Sequence, residues 1–163
     1  MRILLDTSYF LPLIKVQITE ISGKILQKLL KNSKFEIYYC DITLFEMAAK
    51  GTKLVLSGEQ LKITDLQIGI DALENDPRIT RISWSKHPFT LDLAFSLRKI
   101  HADYIDCLIL ATAVCYTDIF ATLDDEFYKL ILKNPLVIQE ILEINDHFQF
   151  WFGDLSKNPK GLK

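Results

Sequence analysis

Short apolar runs alternate with amphipathic helical stretches along the chain, and this alternation admits few folds. Ile3-Leu4-Leu5 is apolar at every position, as in a strand covered on both faces, and it stops abruptly at the polar loop Asp6-Thr7-Ser8. From Thr19, the residues Ile21, Ile25, Leu29 and Leu30 recur at helical spacing until Asn32-Ser33. Phe35 to Tyr39 then reads as a strand and Ile42 to Leu56 as a helix. The same logic predicts a helix over 58–73, a half-buried strand over 79–84 and a helix over 89–100. A nearly enclosed helix is expected to follow around Ile105 to Ala113, then a strand over 118–122, a helix over 125–133 and a last strand over 136–141. Strand and helix in repeated alternation specify an α/β fold with a mainly parallel sheet of about five strands.

No linker, repeat or low-complexity tract divides the 163 residues. The expectation is one domain over 1–155, with 156–163 a fraying tail. The segment Phe148 to Phe152 is rich in aromatics for a terminus and is expected to dock on the body or on a second copy. Nineteen basic residues against 21 acidic ones give a net charge of -2, so affinity for nucleic acid cannot rest on a global positive field. Lys15, Lys50, Lys53 and Arg98 could form a local basic rim, although isolated helical lysines are most often merely solvated. Cys40, Cys107 and Cys115 lack C-x-x-C spacing, which suits a reducing cytoplasm. The apolar stretch 104–123 is interrupted by Asp106 and Asp118 and reads as core, with no membrane span.

Side chains just beyond the carboxyl ends of parallel strands face the crevice where such sheets bind ligands. Asp6 and Asp124 both occupy this position, although each could equally serve as a turn or helix cap. Thr43 and Glu46 match a capping box. If Asp41 takes the cap instead, Glu46 falls in the second turn with its carboxylate free, and the sequence leaves both options open. Asp103 and Asp106 share a face at a helix start, where the dipole accounts for one acid more comfortably than two. His101 lies in a His-x-Asp-x-x-Asp string, but a single His is poor zinc chemistry, and His87 and His147 have no partner at ligand spacing. Ser8 and Thr7 sit in no nucleophile signature. The coherent chemistry is that of carboxylates.

Four ordered pieces carry a resemblance. They are Leu4-Leu5-Asp6-Thr7-Ser8, Thr43-Leu44-Phe45-Glu46-Met47, the string from Asp106 to Ala113, and Ala121-Thr122-Leu123-Asp124. Together they resemble the PIN-domain family, small nucleases that include the toxins of VapBC-type pairs. The resemblance implies a three-layer α/β/α sandwich and a metal site of Asp6, Glu46, Asp106 and Asp124. In it, Thr122, Ser8 and Thr7 would support the acids and Asp103 would be an outer ligand. Asp106 is favoured over Asp103 because the family's third acid opens the matching string, where this chain has Cys107 in place of the usual Ala.

Four close carboxylates repel unless a cation offsets them, and oxygen donors favour Mg²⁺ or Mn²⁺, which can activate a water to attack a phosphodiester. Single-stranded RNA is the expected substrate, since the family implies it and a narrow acidic cleft admits an unpaired strand more readily than a duplex. A VapB-like antitoxin and a homodimer are implied as partners. The rival readings are a PIN-like module that binds RNA or protein without cleaving, and an RNA-processing nuclease without an antitoxin.

Overall fold

The structure is a computed structural model that describes residues 1–17 and 24–153. Its sheet consists of β1 (Arg2–Leu5), β2 (Glu36–Cys40), β3 (Ile79–Ile82), β4 (Ile119–Thr122) and β5 (Gln149–Phe152). All neighbours pair in parallel, in the order β3-β2-β1-β4-β5. The helices are α1 (Ile25–Leu30), α2 (Ile42–Leu56), α3 (Ile63–Glu74), α4 (Pro88–Arg98), α5 (Tyr104–Tyr116), α6 (Asp125–Leu132) and α7 (Pro135–Ile144). Short 3₁₀ turns at Thr7–Tyr9, Leu11–Ile14 and Trp84–Lys86 complete the connections.

The central strands alternate between two cores, as a period of two requires. Ile3, Leu5, Ile37, Tyr39, Ile119 and Ala121 face one core, which α1, Met47 of α2 and Leu73 of α3 cover. Leu4, Cys40, Phe120 and Phe150 face the other, under Leu93 and Leu97 of α4, Ile109 of α5 and Ile141 of α7. Both faces of the sheet are therefore covered, and the result is the three-layer α/β/α sandwich. The expected enclosure of α5 is realised, since every residue from Cys107 to Val114 is buried. Among the described residues no helix is long and apolar enough to cross a membrane.

Three expectations change. The segment expected as a strand over 136–141 is helix α7, whose Val137 and Ile141 are buried four residues apart while Leu136 is 77% exposed. A short run rich in β-branched residues does not distinguish strand from helix, although Pro135 stands at the first helical position, where proline is favoured. The fifth strand is instead the aromatic segment, with Phe120 opposite Phe150 and Ala121 opposite Trp151. It docks on the body of its own chain, and Phe150 and Trp151 are both buried, one in each core. The helix expected over 58–73 begins at Ile63, because Gly58, at φ 83°, takes the left-handed conformation that ends α2. Part of the first expected helix and all of the expected fraying tail lie outside the described residues.

Candidate functional site

The order β2-β1-β4 places the ends of the three central strands side by side, and the acids follow from that arrangement. Asp6 comes directly after β1, and its backbone N–H extends the ladder to the Ala121 carbonyl at 2.9 Å. The side chain is buried, and its Oδ2 accepts from Ser8 Oγ at 2.5 Å and from Thr122 Oγ1 at 3.0 Å. Both hydroxyls also accept from the loop after β4. Leu123 N donates to Ser8 Oγ at 3.2 Å, and Asp124 N donates to Thr122 Oγ1 at 3.0 Å. The two strand ends are thus stitched together through the two hydroxyls.

Asp41 takes the N-cap position of α2, without a side-chain cap bond, so Glu46 falls in the second turn and turns inward. Glu46 is 3% exposed. Its Oε2 accepts from Thr7 Oγ1, and its Oε1 forms an ion pair with Lys50 Nζ one turn along the helix but takes no hydrogen bond at proper angles. Asp106 lies in the first turn of α5, with Oδ2 2.8 Å from His101 Nε2. Asp103 is spent differently, as the exposed cap of α5 accepting from Ile105 N at 2.9 Å. Asp124 likewise caps α6, accepting from Phe127 N at 2.8 Å.

Four of these acids share one field. Burial pushes the Asp106 carboxyl up to about 7, the charge of Asp6 adds to this, the His101 hydrogen bond opposes it, and Asp103 and Glu46 raise it further. Asp6 is likewise raised by burial, with Ser8 opposing and Glu46 adding. In this conformation no three His, Cys, Asp or Glu side chains among the described residues are gathered closely enough to hold a metal ion. The donor set nevertheless fits a hard divalent cation. It consists of carboxylate oxygens only, and the mutual repulsion is of the kind that a cation relieves.

Asp6, Glu46 and Asp106 therefore act on one another's charge at the carboxyl ends of the strands, with Thr7, Ser8 and Thr122 fixing two of them. Asp124 lies at the same edge but is committed to a helix start, and Asp103 faces outward. Two further residues belong to the site. His101 grips Asp106, and the only trace of this in the sequence was its spacing of five residues. Lys50 grips Glu46 from the i+4 position, so it is more than a solvated rim charge. Of the other rim candidates, Lys15 pairs with Asp65 at 2.7 Å and Arg98 donates to the His101 carbonyl at 3.2 Å.

The sequence matches the PIN domain over residues 3–131, which runs from β1 into α6. No curated protein matches it. In shape it is similar to a chain in the crystal structure of VapBC2 from Rickettsia felis bound to a DNA fragment from their promoter. That similarity has a TM-score of 0.57 and 20% identity, and it covers 80% of this chain and 93% of the other. With strand ends, buried acids and a match over most of its length in agreement, the chain belongs to the PIN-domain family, whose members are generally nucleases.

Proposed function

We propose that the protein is a divalent-metal-dependent endoribonuclease that hydrolyses phosphodiester bonds of single-stranded RNA and acts as the toxin of a toxin–antitoxin pair. The observation that supports this most is that Asp6, Glu46 and Asp106, from three separate parts of the chain and each buried or half-buried, lie in one another's electrostatic field. These three residues would hold Mg²⁺ or Mn²⁺, with Asp124 and Asp103 as outer acids. The ion would supply a water activated for attack and neutralise charge on the nonbridging phosphate oxygens. Thr122 and Ser8 fix the rotamer of Asp6, Thr7 fixes Glu46, and His101 orients Asp106. No protein nucleophile takes part in this chemistry. The partner assignment is supported by the likeness to the VapBC2 complex, whose promoter-DNA fragment belongs to that complex alone. A VapB-like antitoxin, a homodimeric assembly and a cytoplasmic setting complete the reading.

The test is cleavage of a labelled single-stranded RNA with Mg²⁺, with Mn²⁺ and with a chelator. Asp6→Asn should lower the rate by more than about 100-fold, because even outer partners of metal ligands are worth roughly 10–100-fold. Equal rates for wild type and Asp6→Asn, or cleavage indifferent to chelation, would overturn the proposal.

A further inference from the structure

An i,i+4 ion pair on a helix surface is ordinarily a minor contact, but the pair between Lys50 and Glu46 is of a different kind. The Glu46 side chain is 4% exposed and that of Lys50 is 49% exposed, so a half-exposed cation reaches inward to a buried anion. The ammonium meets Oε1, while Oε2 is secured independently by Thr7. Burial works against the charge on Lys50, yet the contact with Glu46 and the fields of Glu46, Asp6 and Asp106 hold the ammonium above the ordinary lysine value. A single positive charge thus sits within reach of the three acids that the metal reading joins.

We propose that Lys50 is a resident counter-cation: it occupies Glu46 in the metal-free protein, and a divalent ion must displace it to bind. The inference rests on the metal-site reading above and adds a competition to it. The acid cluster can fold without metal because Lys50 offsets part of its charge. Binding a divalent ion then requires exchange of one Glu46 contact for another, which weakens apparent affinity. With half of its side chain already in solvent, Lys50 can swing outward without disturbing the core. Thr7 continues to hold Oε2, so the exchange is confined to Oε1.

The experiment is titration of Mn²⁺ into the full chain, followed calorimetrically, for wild type, Lys50→Met, Lys50→Arg and Asp6→Asn, together with metal-free melting curves. Lys50→Met should bind Mn²⁺ about tenfold more tightly, as removal of a half-screened charge a few ångströms away allows, and should melt lower without metal. Lys50→Arg should stay close to wild type in both. Unchanged or weaker Mn²⁺ binding by Lys50→Met overturns the inference. If wild type binds no Mn²⁺, or Asp6→Asn binds it equally well, the metal-site reading itself falls and takes the inference with it. Should Lys50→Met not fold, the wild-type protein carries the test. Reductive ¹³C-methylation keeps the charge on Lys50, and its methyl resonance should shift as Mg²⁺ is added. A resonance indifferent to Mg²⁺ at saturation would overturn the inference.

Discussion

Replacing Thr122 by Val keeps the shape of the side chain and removes one hydroxyl, and the structure says what that hydroxyl does. It donates to Asp6 Oδ2 at 3.0 Å and accepts from Asp124 N at 3.0 Å, in a side chain with no solvent exposure. A hydrogen bond to a charged group contributes about 1.5–3 kcal/mol, and an amide left without its acceptor costs about 1–3 kcal/mol. Water can reach the Asp124 end, which is only part-buried, so the lower half of each range applies. The expected loss is about 3 kcal/mol, or roughly 6–12 °C in melting temperature for a domain of this size. Thr122→Ser keeps the hydroxyl and gives up one buried methyl, worth about 1 kcal/mol. Urea unfolding of the three proteins at constant pH and without metal measures both differences. If Thr122→Val is no less stable than Thr122→Ser, the hydroxyl does not hold the two strand ends together and the reasoning fails.

Two further substitutions probe the frame around the site. A methyl group added at Gly69 would lie 2.5 Å from Ile14 Cγ2 and 2.6 Å from the Leu13 carbonyl oxygen, whereas the nearest atoms to one added at Gly51 belong to the Leu66 side chain, at 2.7–3.0 Å. Ala gains about 1 kcal/mol of helix preference at either position, but backbone cannot yield as a side chain can. Gly69→Ala should therefore melt lower than Gly51→Ala, and the reverse order in calorimetry would count against the packing of α3 on the Leu11–Ile14 turn. At the opposite end of the sheet, burial raises the Asp118 carboxyl, but hydrogen bonds from the Arg2 guanidinium and backbone outweigh it and hold Asp118 below its ordinary value. The contribution of a depressed carboxylate is present above its unfolded value of 3.8 and is lost as pH falls below it. Asp118→Asn should cost about 1 kcal/mol or less at pH 7, because both partners are partly exposed, and less than that at pH 3, where the loss is under way. Urea midpoints at the two pH values check this, and a gap of equal size at both would contradict it.

The sequence showed the frame of the molecule and the address of its acids, because strand ends are written in apolar runs that stop at Asp. Ile42 to Leu56 was legible to the residue as α2. The choice between a capping and an inward-facing Glu46 was not legible, because it depends on where Thr7 sits, 39 residues earlier in the chain and on another element. The exchange of strand for helix at 136–141 has a similar origin. Leu136 to Ile138 fits either state locally, and what decides is that the edge beside β4 is already taken by Phe150 and Trp151. His101 was set aside because it was weighed as a metal ligand, whereas its role is to hold a carboxylate. Local spacing gives which residues are neighbours along an element but not which hydroxyl or imidazole arrives from elsewhere to hold them.

The position of β1 at the centre of the sheet governs when the strand ends can be joined during synthesis. β1 precedes every other described element, and it gains its first neighbour once β2 has been made. Its second neighbour, β4, begins at Ile119, and Thr122, which secures Asp6, lies at the end of that strand. A nascent chain still short of that point carries Asp6 and Glu46 but no partner for the open side of β1. Translation therefore acts as a delay: a ribosome-bound fragment that ends before β4 leaves Asp6 without its Thr122 partner, and the strand ends that carry the acids can be joined only after nearly the whole matched region has left the exit tunnel.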